Sequence, residues 1–159
     1  MSQKTKRILM AFFGVIVTGF CVGTFQKANL GTDPFTCFVT GIANIFGSTY
    51  STFYVIVTGA LLIGVFLVER HYIGIATVIN LFGTGISADF MRGLWDMLIP
   101  NPGMGGRVVL MLIGVLGSCF SASVYFTADV GVSAYDAVSL IAANKYKLLP
   151  FKVCRVLSD

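Results

Sequence analysis

Three long uncharged runs dominate the chain: Ile8–Gln26, Tyr50–Val68 and Val108–Ala128. A helix of about 20 residues, rising about 1.5 Å per residue, matches the ~30 Å hydrocarbon core of a bilayer. Apolar runs of that length without Lys, Arg, Asp or Glu read as membrane-spanning helices. Composition points the same way. Of 159 residues, 56% are apolar and 11% charged, whereas soluble domains carry about 25% charged residues. Mean hydropathy is +0.86. Such a chain lacks the polar surface to cover a soluble globule, and it is too hydrophobic to stay disordered. It has room for about six crossings joined by short loops.

The net charge of +4, from 11 Lys and Arg against 7 Asp and Glu, is too small and scattered for nucleic-acid binding. It reads as the loop bias that orients membrane proteins. Cys21, Cys37, Cys119 and Cys154 form no CxxC, and the single histidine stands at no ligand spacing to them. They are expected to be packing residues, with no disulfide, metal or cofactor. Lys4, Lys6 and Arg7 before Ile8 imitate a signal peptide. The apolar run that follows is longer than the usual h-region of about 7–15 residues, and no cleavage site with soluble sequence comes after it. It is read as a retained first span with its N-terminus in the cytoplasm.

Call Ile8–Gln26 segment A. The turn Lys27-Ala28-Asn29-Leu30-Gly31-Thr32-Asp33-Pro34 follows it, with Asp33 suited to an N-cap and Pro34 to the first helical position. Segment B, from Pro34 to about Phe46, is about 20 Å long as a helix. It is either a short tilted span or a re-entrant half-helix. Segment C covers Tyr50–Val68, and segment D runs from Ile73 to Leu98, stopped by Pro100-Asn101-Pro102-Gly103. Segment A′ (Val108–Ala128) and a short B′ (Ser133–Asn144) follow, and Phe151–Leu157 begins another span. An offset of 100 residues aligns Gly14 with Gly114, Val15 with Val115, Phe20 with Phe120, Ala28 with Ala128, Gly31 with Gly131, Ala43 with Ala143 and Asn44 with Asn144. The expected fold is therefore an all-α polytopic helix bundle built from an internal repeat. Residues 1–100 form the first copy, with three to four helices, and residues 101–159 an incomplete second. The sequence is expected to be a fragment of a two-repeat protein or to need a partner. If B crosses, the copies are parallel and the basic residues divide nine inside to two outside. If B re-enters, the copies are inverted and the division is eight to three. The parallel form is slightly favoured.

The A–B and A′–B′ turns place polar side chains and a helix N-terminus at the start of short apolar helices. Short segments at matching positions of two repeats point to a transporter site, and free N–H groups there suit an anion or carboxylate. Asp33 and Ser133 read first as helix caps, with a ligand role as the alternative. Asp136 lies inside B′, where a cap role is less natural, and an ionisable residue in a membrane segment is a functional candidate. In segment D, Asn80, Thr84 and Ser87 share a helical face, while Asp89 and Arg92 stand at i, i+3 and can neutralise one another. His71 is expected in a loop at the membrane edge and Trp95 as an interfacial anchor. Gly19-x-x-x-Gly23 and Gly114-x-x-x-Ser118, followed by Ala122, allow close helix approach, within the chain or against a second copy. Gly83-Thr84-Gly85 and Gly103-Met104-Gly105-Gly106 lack the strand and lysine context of phosphate loops, and an enzyme is not expected.

Lys27-Ala28-Asn29-Leu30-Gly31 followed by Asp33-Pro34-Phe35 resembles the "ANLG-x-SPWD" signature of the bacterial YczE/YitT-like membrane proteins. Gly131-Val132-Ser133-Ala134-Tyr135-Asp136 is similar to the same motif repeated. So is segment D, with Gly74, Thr77, Asn80, Gly83 and Ala88-Asp89, to that family's Gly-rich helix. The motif aspartate is present as Asp136 but stands as Thr36 in the first copy, and the motif proline is kept as Pro34 but becomes Ala134. The resemblance implies a multi-pass protein of the bacterial inner membrane, with no substrate attached. The expected function is transport of a small solute or ion through a site lined by Asn29, Asp33, Thr36, Asn80, Asp89, Ser133 and Asp136. The alternative is an assembly or regulatory subunit that holds a partner protein by its helices. Expected partners are the lipid bilayer, a small-molecule or ion substrate and a second copy of the chain.

Overall fold

Each apolar run becomes a helix: α1 Gln3–Ala28, α2 Pro34–Ile45, α3 Tyr50–Val68, α4 Ile75–Leu98, α5 Met104–Ala128 and α6 Ala134–Asn144. The computed structural model describes residues 3–69, 73–128, 130–131, 133–144 and 153–154. His71, the break at 145–150 and most of the span expected over 151–157 lie outside them. The described residues contain no strand, and α1, α3 and α5 are long and apolar enough to cross a membrane. Lys4, Lys6 and Arg7 belong to the first turns of α1, where their exposed side chains extend the helix beyond its apolar run.

α1 is the central helix, clasped by α4 on one side and α5 on another. Its contacts give both directions. Against α4, Ala11 meets Ala76, Gly83 faces Val15, Gly19 faces Ser87 and Gly23 faces Met91, so the two run parallel. Trp95 continues the series by donating from Nε1 to the Thr24 hydroxyl at 3.0 Å, and Lys27 Nζ reaches Asp96 at 2.6 Å. Against α5, Gly14 meets Tyr125, Gly117 meets Cys21 and Gly114 meets Phe25. The Ser121 hydroxyl donates to the Gly14 carbonyl at 2.6 Å. α5 therefore runs antiparallel to α1. Small residues make both approaches possible. A Cβ on Gly19 would lie 2.7 Å from the Thr84 carbonyl oxygen, and one on Gly114 would lie 2.8 Å from the Phe25 ring.

α3 descends antiparallel to α4, with Ser51 against Gly85 and the Tyr54 hydroxyl donating to Asn80 Oδ1 at 2.9 Å. Asp89 Oδ2 accepts from the Ser51 amide at 3.0 Å, satisfying an N–H that the start of α3 would leave open. α2 lies between the end of α1 and the start of α3, and both of those ends sit beside the C-terminal half of α4. α2 therefore leaves and returns at the same end of the bundle. The slight preference for a crossing segment B with parallel copies does not match these directions: α2 returns to the end of the bundle it left, and α5 opposes α1. Loop charges separated the two forms by a single residue, too little to decide a topology that helix packing sets.

The outer surface is apolar. Phe12, Phe13, Ile63, Leu67, Phe82 and Leu116 are among many large exposed hydrophobics, an extent that water does not tolerate and lipid tails do. Among the described residues no disulfide joins Cys21, Cys37, Cys119 and Cys154, and Cys21 and Cys154 are buried.

Candidate functional site at the meeting of two short helices

The turn after α1 reverses through Asn29 at φ 51° and Gly31 at φ 135°, the second a conformation that glycine adopts without strain. It delivers Asp33 as the N-cap of α2, where Oδ2 accepts from the Thr36 amide at 2.9 Å. The Thr32 hydroxyl donates to Asp33 Oδ1 at 3.2 Å. The turn after α5 passes Gly131 at φ 123° and delivers Ser133 to the start of α6. There the Ser133 oxygen accepts from the Asp136 amide at 3.1 Å, and its hydroxyl donates to Asp136 Oδ2 at 2.8 Å. This is a reciprocal cap with an acid at its third position. Asp136 thus has the capping role that its place inside B′ made less natural, because the helix starts at Ala134 and brings Asp136 into the first turn.

The two helix starts meet. Phe35 and Tyr135 stack with ring centroids 5.1 Å apart, and Phe35 meets Tyr54 edge-on at 6.0 Å. From this junction α2 runs out beside the end of α1, with Gln26 Nε2 within 3.4 Å of the Thr40 hydroxyl. α6 runs the other way, packing Ala137 and Ile141 on Val65 near the end of α3. Each is about half a bilayer long. The turn before α6 is seated on the start of α4: the Ala76 amide donates to the Val130 carbonyl at 3.3 Å, and Gly74 abuts Val130 and Gly131 backbone.

A cavity of about 620 Å³ opens at the junction. Of the residues expected to form a site, Asp33, Thr36, Asn80, Ser133 and Asp136 line it together. Asn29 does not. It borders a smaller hollow of about 320 Å³ with Asn44 and Arg92. Asp89 is also outside the cavity lining, and its described contact is the α3 cap rather than Arg92. The expected face of segment D divides: Asn80 and Thr84 reach the cavity, while Ser87 lies under Gly19. Expectation missed Tyr50, Tyr54, Thr58 and Tyr125, which also line it. Tyr50, Tyr54 and Thr58 recur every fourth residue of α3, a polar stripe in an apolar run that would have marked an inward face.

The free N–H groups expected to attract an anion are partly occupied. The Thr36 amide is held by Asp33, and the Asp136 amide by Ser133. The carboxylates themselves sit where the helix dipoles favour negative charge. The junction therefore holds two carboxylates, with two of its helix-start amides already taken.

A family described as a family of unknown function (DUF6198) matches residues 5–159. The uncharacterized membrane protein YczE of Bacillus subtilis is 26% identical over 136 residues, which cover 84% of this chain and 61% of that protein. An uncharacterized protein of Haemophilus influenzae is 26% identical over 149 residues, covering 92% of this chain and 66% of that protein. The chain thus spans less than two-thirds of the length of either relative. No solved structure matches it. With its apolar helices and a family match over nearly its whole length, the chain belongs to DUF6198, among the YczE-like multi-pass membrane proteins.

Proposed function

We propose that the protein is of transporter type, carrying a small solute or ion through the cavity where α2 and α6 meet. One observation carries this reading: two half-length helices enter from opposite ends and bring their N-termini together over a largely apolar cavity edged by polar side chains. Discontinuous helices of this kind are the usual way membrane transporters place polar groups at mid-depth without exposing backbone to lipid. Asp33, Thr36, Asn80, Ser133 and Asp136 are the assigned lining residues, with the tyrosines of α3 and α5 as walls. We also infer that the α1–α2 and α5–α6 units are inverted copies of one another. The 100-residue offset, the antiparallel α1 and α5, and the paired glycines at φ 135° and 123° support it. The rival reading, a subunit that grips a partner through Gly19 and Gly23, loses its surface because α4 occupies that face.

Cys119 and Cys21 line the cavity, and they supply a test. A membrane-impermeant thiosulfonate reagent is applied to intact cells and to inside-out vesicles, and Cys119 modification is read by peptide mass mapping. A carrier opens its site to each side in turn, so modification from both sides is expected. Modification from one side only, or from neither, would overturn transport.

A further inference from the structure

The charge and wall chemistry of the same cavity point to its cargo. We propose that it takes a small organic ammonium cation, an inference that rests on the cavity being the transport site. The charged side chains that line it are Asp33 and Asp136, both acidic, and among its described lining residues there is no Lys or Arg. A bound anion would have to sit between two carboxylates at helix starts where the Thr36 and Asp136 amides are already held. A cation would instead meet favourable charge from both carboxylates, the half-buried Asp136 acting in less water than the exposed Asp33.

The walls supply what an ammonium group needs beyond charge. Tyr50, Thr58, Thr84 and Tyr125 are 2%, 4%, 2% and 6% exposed. The Tyr125 hydroxyl has no hydrogen-bond partner among the described residues, while Tyr50 lies beside Thr36, and Thr58 and Thr84 lie beside Tyr54; all four residues line the cavity. A hydroxyl can accept from an N–H as readily as it donates, and the buried, unpartnered Tyr125 hydroxyl, with the other hydroxyls around the same space, asks for a polar occupant. The stacked Phe35–Tyr135 pair and Tyr54 add aromatic faces, which attract cations within about 6 Å of a ring. Size discriminates between cations. A bare metal ion needs several oxygens at about 2–2.6 Å, whereas a space of about 620 Å³ falls in the range that holds organic molecules.

The experiment is thermal unfolding of the purified full chain in detergent, titrated with methylammonium, tetramethylammonium and choline chlorides. Sodium chloride, sodium acetate and urea serve as comparison probes. A concentration-dependent rise in melting temperature with at least one ammonium probe, above that with sodium chloride, is expected. Asp33→Asn keeps a good N-cap acceptor while removing the charge, so it should fold and bind that probe about tenfold more weakly. Asp136→Asn should behave alike and gives an independent reading if either variant is unstable. Unchanged affinity in both variants would overturn the site. Stabilisation by acetate, by urea, or equally by sodium would overturn the ammonium class. So would no response to any ammonium probe, and in each case Cys119 modified from both sides would leave transport standing. Loss of both results would remove the two readings together.

Discussion

At Gly74 a missing side chain decides how two parts of the chain meet. The start of α4 lies so close to the turn before α6 that a Cβ would press on the Val130 carbonyl. Gly74→Ala should therefore destabilise the protein by about 1–3 kcal/mol, the usual range for forced overpacking. Gly59, mid-helix in α3 with nothing within 4 Å of an added Cβ, gives the opposite expectation: Gly59→Ala should stabilise by about 0.5–1 kcal/mol. Thermal unfolding of the two variants side by side checks both signs. Residue chemistry was partly legible in the sequence. Asp33 before Pro34 announced a cap because both residues act locally. Ser133 and Asp136 carry an equally local signal in their spacing of three, but the membrane setting drew attention to the charge instead. The buried tyrosines were not legible as a group, because Tyr125 reaches the cavity from a different helix and only packing brings it near Tyr54.

Helix boundaries were well read, since uncharged runs and Gly–Pro clusters determine where a chain in lipid can turn. Helix direction was not. Periodicity reports which residues share a face and says nothing of whether a neighbour runs up or down. That choice is made by side-chain fit, here by Gly19 and Gly23 against Ser87 and Ala88. Without a hydrophobic drive between helices, close approach of this kind is a main source of association in lipid. Gly19→Leu should therefore separate α1 from α4 and cost roughly 3 kcal/mol, while Gly64→Leu, placed in open space, should cost much less. Retention of a monodisperse gel-filtration peak after graded heating compares them directly, and equal losses would disprove the α1–α4 seam.

For the whole molecule, the re-entrant course of α2 fixes which loops share a side. Residues 46–49 and the Pro100–Gly103 turn lie at the end opposite the start of α1. Cysteines introduced as Ser48→Cys and Asn101→Cys should react with an impermeant label from one face of the membrane, and Thr5→Cys from the other. Ser48→Cys labelling alongside Thr5→Cys would mean that α2 crosses. The proposed inverted arrangement could not be extracted from charge, because moving Arg92 and Arg107 to the outside while Arg70 moves in leaves the loop bias nearly unchanged.

In the proposed transport arrangement, two helices that stop halfway place their junction near the electrical midpoint of the membrane as well as its geometric one. A full crossing of one elementary charge is worth about 2.3 kcal/mol per 100 mV, so on the proposed transport reading a monovalent occupant arriving at Phe35 and Tyr135 would have traversed roughly half of that, ~1.2 kcal/mol. Voltage then acts on entry from one side and exit to the other by similar amounts, and neither half of the journey takes up the whole electrical work.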